Sequence, residues 1–136
     1  MIHKTSCGAV VFITNPELKY LLLHYPGAHW GFVKGKLESN ENEKETVIRE
    51  LEEETGILDS KFIKGFRERI TYTYMRTGKT VNKEVIFFLI KTQTKKIRLS
   101  YEHSEYLWAQ FSEAMKILKF YNSKNVLQKA HNFLRN

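Results

Sequence analysis

The sequence contains little of what marks several large protein classes. Cys7 is its one cysteine among 136 residues, so no disulfide can form within the chain and a reducing compartment is compatible. The longest apolar run is about seven residues, too short for a membrane-spanning helix. The N-terminus also lacks the basic and then apolar layout of a secretory signal. We therefore expect a cytoplasmic protein in which Cys7 is a buried thiol within a strand.

Stretches that would divide the chain are also missing. With two prolines and seven glycines, it has no linker-like, repeated or low-complexity segment. Its 42% hydrophobic and 13% aromatic content argue against disorder. A chain of this length can bury one core. These features predict a single domain over residues 1–136, and we expect it to act as a monomer.

The net charge of +7 hides a strong separation of charge along the chain. Between Glu38 and Glu54 there are eight acidic and two basic residues, a net charge of −6. The rest of the chain carries +13. An acidic segment in an otherwise basic protein predicts a site for metal cations, set in a surface that attracts anions.

The acidic segment has the signals of a helix. Asn40 is a predicted N-cap, with Glu43 at capping-box spacing. Gly56 stands where a left-handed residue ends many helices. The apolar residues between these ends predict one buried face: Val47, Ile48 and Leu51.

Three glutamates of this helix share the neighbouring face, because Glu50, Glu53 and Glu54 are spaced by three and four residues. Like charges at this spacing cost an isolated helix roughly 0.2–0.5 kcal/mol per pair. A divalent cation removes the repulsion, and Mg²⁺ prefers carboxylate oxygens together with water and phosphates. Composition alone allows a solvated acidic face equally well, so the spacing of the whole motif has to decide.

The motif resembles the signature of the Nudix hydrolases. It consists of Gly35, five residues, Glu41, seven residues, and then the sequence RELEEETGI over residues 49–57. The resemblance implies a strand–loop–helix unit that binds Mg²⁺ or Mn²⁺ and cleaves a nucleoside diphosphate linked to another group. It further implies metal contacts and supporting residues: Glu50, Glu53, Glu54 and Gly35 at the metal, with Arg49 and Glu41 as structural support.

The remaining chain alternates between strand and helix patterns. Apolar and alternating stretches predict strands over residues 4–13, 19–24, 61–75, 83–91 and 107–111. Two amphipathic helices follow over 112–118 and 123–134, with Ser112 and Ser123 as predicted caps. This order predicts an α/β fold with a mixed sheet between helices. The Nudix resemblance implies the corresponding α/β/α sandwich.

The loops outside the motif suggest how a substrate is held. His29 and Lys34 lie in the segment HWGFVKG beside the motif glycine and can contact phosphate. Tyr72 and Tyr74 alternate on one strand, followed by cations that include Lys83. Aromatic rings among cations suit a nucleobase and its phosphates. An ordinary amphipathic hairpin would show the same tyrosine pattern, and that alternative stays open.

Over nearly the whole chain, the sequence resembles the asymmetrical diadenosine tetraphosphate hydrolases, a group within the Nudix family. The shared segments include HWGFVKG, GFRERITY and SYEHSEYLWA. The resemblance implies that His29, Lys34 and Lys83 contact phosphates and that Glu102 assists the metal or the water. It also implies that two aromatic residues flank an adenine, with these candidates: Tyr72 or Tyr74, and Phe120 or Tyr121.

The sequence departs from that group around the motif. Val33 stands where proline is usual, and Phe32 where a second proline is often found. Asn40 replaces a common glycine, and Lys36 replaces a common histidine. Loss of proline removes a constraint on φ, which puts the loop geometry and the order of substrate preference in question.

These observations predict hydrolysis of diadenosine tetraphosphate to ATP and AMP, with Glu50, Glu53, Glu54 and Glu102 as catalytic residues. The sequence does not choose the general base among these carboxylates. One alternative is a Nudix pyrophosphatase acting on RNA 5′-triphosphate ends or nucleoside triphosphates, which the basic surface would suit. Another is a non-catalytic module that senses a nucleotide. No membrane partner is expected.

Overall fold

A computed structural model describes residues 1–27 and 29–136, and Ala28 of the aromatic loop lies outside the described residues. Within them the chain forms eight strands and three helices. In chain order these are β1 (Ile2–Ile13), β2 (Lys19–Tyr25), β3 (His29–Gly31), β4 (Val33–Lys36), α1 (Glu43–Thr55), β5 (Lys61–Phe62), β6 (Glu68–Arg76), β7 (Lys79–Lys91), β8 (Glu105–Ala109), α2 (Phe111–Ile117) and α3 (Tyr121–Arg135). None of the described helices is both long and apolar enough to cross a membrane.

The strands form one mixed sheet, which confirms that prediction. At its centre β1 and β7 run parallel in a long register, from Ile2 opposite Val81 to Phe12 opposite Lys91. Antiparallel strands flank this pair: β2 and β4 on β1, and β5 and β6 on β7. On β2, the partners are β3 and β8. The pairing of β1 with β4 places the motif glycine near the middle of the sheet.

Helices cover both faces of the sheet, and this confirms the α/β/α sandwich. Val10 and Phe12 of β1 lie in a core with residues of α2 and α3 such as Leu127. The odd-numbered residues of β1 point to the other face, where Cys7 shares a second core with Leu51 of α1. Cys7 is fully buried, and burial raises the pKa of its thiol to about 11, as expected for a structural thiol.

Helix α1 begins two residues later than predicted. Asn42 is the N-cap: its side chain accepts the Glu45 N–H, and its own N–H donates to the Glu45 carboxylate. The prediction of Asn40 with Glu43 was wrong because the pattern Asn-x-x-Glu occurs twice in succession, and the later copy forms the capping box. Gly56 has φ of 76° and ends the helix in the left-handed conformation, which confirms that boundary.

The buried face of α1 is also rotated from the predicted one. Val47 and Leu51 are fully buried, whereas Ile48 is 46% exposed and was wrongly assigned to the core. A helix turns by about 100° per residue, so Ile48 lies toward solvent. The buried face continues instead through Leu51 to Glu54. One motif carboxylate therefore lies on the side that packs against the sheet.

Boundaries of four further predicted elements also differ from the predictions. The predicted strand over residues 61–75 is broken into β5 and β6, with Gly65 at φ of 95° between them. Helices α2 and α3 follow Gln110 and Phe120, and neither N-cap has a side-chain hydrogen bond, so Ser112 and Ser123 are not caps. The last strand was predicted to reach Phe111 but ends at Ala109. Phe111 belongs instead to α2, where its ring stacks on His131 of α3 with centroids 3.9 Å apart.

Candidate functional site

Helix α1 presents its three motif glutamates at different depths. Glu54 follows Leu51 by three residues on the buried face and is 4% exposed. The Glu50 side chain is 13% exposed, and that of Glu53 is 58% exposed. Spacings of three and four residues put the three glutamates on one side of the helix. Packing against the sheet then gives each of them a different exposed fraction.

Gly35 allows α1 to come this close to the sheet. A Cβ atom at position 35 would lie 1.9 Å from Cδ of Glu50, far inside van der Waals contact. Gly35 pairs with Cys7 in the sheet, so its backbone cannot move aside easily. The glycine of the motif is thus needed because a carboxylate side chain packs directly on its backbone.

Arg49 connects the helix with the loop and with β4. Its Nε donates to Glu41 at 2.7 Å, its Nη1 to Glu50 at 2.7 Å, and its Nη2 to the Lys36 carbonyl at 3.1 Å. Glu41 also accepts the Thr46 hydroxyl at 2.8 Å. Together Arg49 and Glu41 orient Glu50 and hold the end of β4. This is the geometry that their expected supporting role requires.

The ion pair makes a testable contribution to stability in acid. The Arg49 guanidinium, with help from Thr46, lowers the pKa of Glu41 from 4.5 to about 2. A carboxyl group with a lowered pKa in the folded protein stabilises it above the unfolded pKa, and this stabilisation is lost as the pH falls toward the folded value. Glu41→Gln should therefore be less stable than the wild type at pH 7, and the difference should vanish between about pH 4.5 and pH 2.

Denaturant unfolding across that pH range measures the effect. Glu105→Gln is the matched control, because Glu105 is exposed and far along the chain in β8. A difference between Glu41→Gln and the wild type that stays constant down to pH 2 would contradict the assigned role of the ion pair.

Glu54 is unusual because its carboxylate is buried and one of its oxygens, Oε1, has no hydrogen-bond partner. Burial raises its pKa well above the usual range, and the charges of Glu50 and Glu102 raise it further. Among the described residues, Glu54 Oε1 and His103 Nε2 are the buried side-chain atoms without a partner, and they lie 3.8 Å apart. Unpaired buried charge is costly unless something pairs with it. A cation beside Glu54 would do so.

The three glutamates line one pocket of about 520 Å³ with Gly35. Its other lining residues are Lys34, Lys36, Ser100, Tyr101 and Glu102. Across residues 1–27 and 29–136, no three acidic, histidine or cysteine side chains converge as a complete ligand cluster. Glu50 is directed toward Arg49 and Glu53 toward solvent, which accounts for this. The unpaired Glu54 oxygen and the close approach of Glu50 to Gly35 nevertheless fit a divalent cation, which these carboxylates would hold.

A second cavity of about 440 Å³ lies next to this pocket and is aromatic. The His29 ring stacks on Tyr25 with centroids 5.1 Å apart, and Phe120 meets His29 edge-on at 5.4 Å. Tyr72 lines the same cavity, and Lys34 lines both it and the acidic pocket. Burial lowers the pKa of His29, and the nearby Lys34 lowers it further. This arrangement provides a flat apolar site connected to a cation and to carboxylates.

The structure separates the paired candidates for base binding. Tyr72 and Phe120 line the aromatic cavity. Tyr74 lies beyond Tyr72, with ring centroids 6.1 Å apart, and Tyr121 is 78% exposed on α3. Lys83 lies outside both cavities and donates to the Ser6 hydroxyl at 2.6 Å. The structure therefore brings His29, Lys34, Tyr72 and Phe120 together, and leaves Tyr74, Tyr121 and Lys83 apart from them.

Two residues of the site were not singled out from the sequence. Tyr25 ends β2, donates its hydroxyl to the Phe32 carbonyl and packs between His29 and His103. His103 is buried beside Glu54. The segment around His103 was noted for its glutamate, but nothing in its spacing indicates that the histidine turns inward. Tyr25 has no sequence signal at all, since its role depends on the pairing of β2 with β3.

Comparison with known proteins identifies the family. The family model described as NUDIX domain matches residues 4–130. The chain belongs to the NUDIX family. Among NUDIX relatives, it is 36% identical to the rat protein named asymmetrical bis(5′-nucleosyl)-tetraphosphatase, over 95% of this chain and 94% of the rat protein. It is 31% identical to the Caenorhabditis elegans protein of the same name, over 87% of this chain and 86% of that protein.

One solved structure is similar to this chain over nearly its full length. The crystal structure of a C. elegans Ap4A hydrolase binary complex superposes with a TM-score of 0.80 at 25% identity, covering 97% of this chain and 98% of that one. The motif resemblance read from residues 35–57 therefore agrees with the family and with the fold.

Proposed function

We propose that this NUDIX protein is a metal-dependent hydrolase that cleaves diadenosine tetraphosphate asymmetrically to ATP and AMP. The observation that carries the proposal is the position of Lys34, which lines both the aromatic cavity and the acidic pocket. A substrate with its adenine between Tyr72 and Phe120 would pass its phosphates over Lys34 toward the carboxylates. The names of the rat and worm relatives support the same substrate.

The cation of the proposed reaction is Mg²⁺, with Mn²⁺ as a substitute, held by Glu50, Glu53 and Glu54 beside Gly35. When bound, such an ion supplies charge neutralisation on the phosphates and a lowered pKa for the attacking water. Glu54 is the buried ligand of the set and Glu53 the exposed one. Arg49 keeps Glu50 in place from the opposite side.

The other residues act on the substrate. Lys34 is largely buried, and burial lowers its pKa while Glu54 opposes that shift. An ammonium group so placed stabilises negative charge that develops on the phosphate oxygens. His29 lies on the aromatic side of Lys34 and donates to a neighbouring phosphate. Glu102 is exposed at the mouth of the acidic pocket and accepts the proton of the attacking water.

The proposal is tested with purified protein, Mg²⁺ and diadenosine tetraphosphate in ¹⁸O-water. We expect ATP and AMP in equal amounts, with one ¹⁸O in one of the two products. Glu53→Gln, purified in the same way, controls for contaminating enzymes. Formation of ADP alone, or no product above the Glu53→Gln background, would reject the proposal.

A nucleic-acid substrate is the second candidate, because the chain outside the acidic segment carries +13. Turnover of 5′-triphosphorylated RNA in the same assay separates the two, and the aromatic cavity favours the dinucleotide. A purely sensing module would not need the full set of motif carboxylates, which is present here. We further propose that the chain acts as a single-domain monomer in the cytoplasm, where one buried thiol is stable.

A further inference from the structure

Two buried polar atoms lie next to each other beside the acidic pocket without a hydrogen bond. Glu54 Oε1 and His103 Nε2 are 3.8 Å apart, and in the part of the chain that the structure describes they are the buried side-chain atoms that lack a partner. Both side chains are buried. Since buried polar groups are nearly always hydrogen-bonded, this pair requires an explanation beyond packing.

The loop that carries His103 is fixed on two sides. The His103 N–H donates to the Ser100 carbonyl at 3.2 Å, and the Ser104 N–H donates to a carbonyl of β2 at 3.2 Å. Tyr25, which ends β2, meets the His103 ring edge-on with centroids 4.5 Å apart. The imidazole therefore has a defined orientation, with Nε2 directed toward Glu54.

The Ser100 hydroxyl indicates which ring nitrogen carries the proton. Its oxygen accepts the Glu102 N–H at 3.3 Å and lies 3.3 Å from His103 Nδ1. Because the oxygen already accepts from Glu102, the hydroxyl proton is available for Nδ1, and the proton of a neutral ring is then on Nε2. The opposite tautomer would place the Nε2 lone pair against the ionised Glu54 carboxylate. A charged ring would also donate from Nε2, so this direction does not depend on the charge of His103.

We infer that His103 is a positioning residue, whose Nε2–H is donated to Glu54 and orients this carboxylate for the cation. The inference rests on the proposed function for that cation. Carboxylates that bind metals are themselves usually hydrogen-bonded, and loss of such a partner typically lowers metal affinity about 10- to 100-fold. Through Ser100, the same contacts connect the loop of Glu102 with the helix of the proposed ligands.

Amide replacements at position 103 separate the donor at Nε2 from the rest of the ring. A glutamine amide nitrogen can take the place of Nε2, whereas an asparagine amide nitrogen reaches only the place of Nδ1 and leucine supplies neither. Mn²⁺ is titrated calorimetrically into the wild type and the three variants. We expect about tenfold weaker binding for His103→Asn and His103→Leu, and binding within about threefold of the wild type for His103→Gln.

His131→Leu is the matched control for the loss of a packed histidine. His131 Nδ1 lies 2.8 Å from the Tyr20 hydroxyl, and its ring stacks on Phe111 at the face of the sheet opposite α1. This variant should lower the Tm and leave the Mn²⁺ affinity unchanged. An affinity that follows the Tm of the variants, and not the donor at position 103, would overturn the inference.

The position of the proton is measured directly in the metal-free wild type. Two-bond ¹H–¹⁵N correlation spectra show which nitrogen of an imidazole carries the proton, and this measurement needs no variant to fold. A proton on Nε2 of His103 supports the inference. A proton on Nδ1 alone overturns it.

Kinetics separate an effect on the ligand from an effect on the substrate. In His103→Leu the Mg²⁺ concentration that gives half the maximal rate should rise about tenfold, and saturating Mg²⁺ should restore most of kcat. An unchanged Mg²⁺ requirement with a raised KM for the dinucleotide would count against the assigned role.

Failure of this inference is distinguishable from failure of the proposed function. Mn²⁺ affinity that depends on the donor at position 103, without hydrolysis of diadenosine tetraphosphate, would support the inference and reject the proposed activity. Hydrolysis together with equal Mn²⁺ affinity in the wild type and all three His103 variants would do the reverse.

Discussion

Replacing Glu54 with glutamine should slow hydrolysis by at least about a hundredfold and at the same time stabilise the metal-free protein. The rate falls because a neutral amide is a poor ligand for the cation, whose contribution is several kcal/mol at about 1.4 kcal/mol per factor of ten. Stability rises because the wild-type carboxylate is 4% exposed, has one oxygen without a hydrogen-bond partner and lies near the charge of Glu50. Glutamine keeps the shape and removes the charge.

The pH dependence has a definite sign. A carboxyl group whose pKa is raised on folding costs stability increasingly as the pH rises above its unfolded value near 4.5. The stability gained by Glu54→Gln should therefore grow from pH 4 to pH 7, by about 1–3 kcal/mol in total. Thermal or denaturant unfolding in metal-free buffer measures it.

The matched control is Glu52→Gln, on the exposed side of the same helix. It should leave both rate and stability close to the wild type. Mg²⁺ should raise the Tm of the wild type and of Glu52→Gln more than that of Glu54→Gln. Wild-type turnover in Glu54→Gln would show that Glu54 does not hold the cation.

Gly35→Ala is expected to have the second large effect, on both stability and rate. The added Cβ would lie 1.9 Å from Cδ of Glu50, so either the glutamate or the strand must move. Overpacking of this kind costs typically about 1–3 kcal/mol. Displacement of Glu50 from Arg49 would also disturb the cation site, and we expect a loss of kcat/KM of at least about tenfold.

A double-mutant cycle identifies the clash. Glu50→Ala removes the Cγ and Cδ atoms that the new methyl group would meet. Gly35→Ala should therefore cost much less stability in the Glu50→Ala background than in the wild type. An equal cost in both backgrounds would mean that backbone strain in β4, and not the glutamate, explains the need for glycine.

The resemblance of residues 35–57 to the Nudix motif predicted the family, and the strand and helix patterns predicted a mixed sheet between helices. Element boundaries were less predictable. The pattern Asn-x-x-Glu occurs at both Asn40 and Asn42, and local chemistry does not choose between overlapping capping boxes. Phe111 belongs to α2 because its ring stacks on His131, a contact between residues far apart in sequence.

In the candidate site, too, local sequence predicts some features, and contacts between distant residues decide the others. Alternation along β6 puts Tyr72 and Tyr74 on one face, so periodicity cannot rank them. The position of Phe120, at the start of α3, brings it together with Tyr72 and leaves Tyr74 outside the aromatic cavity. Strand pairing likewise brings Lys4, Lys36 and Lys83 to one cavity, although they are far apart in the chain.

Helical periodicity is a local property, so the spacing of Glu50, Glu53 and Glu54 already places them on one side of a helix that follows a glycine loop. Long-range packing, in contrast, buries Glu54 with one oxygen unpaired, leaves Glu53 facing solvent and places Glu50 against Gly35. The depth of a side chain depends on what packs against the helix, and here β4 precedes α1 in the chain while the segment around His103 follows it much later. The same long-range packing places Lys34 and Lys36 at the wall of the acidic pocket.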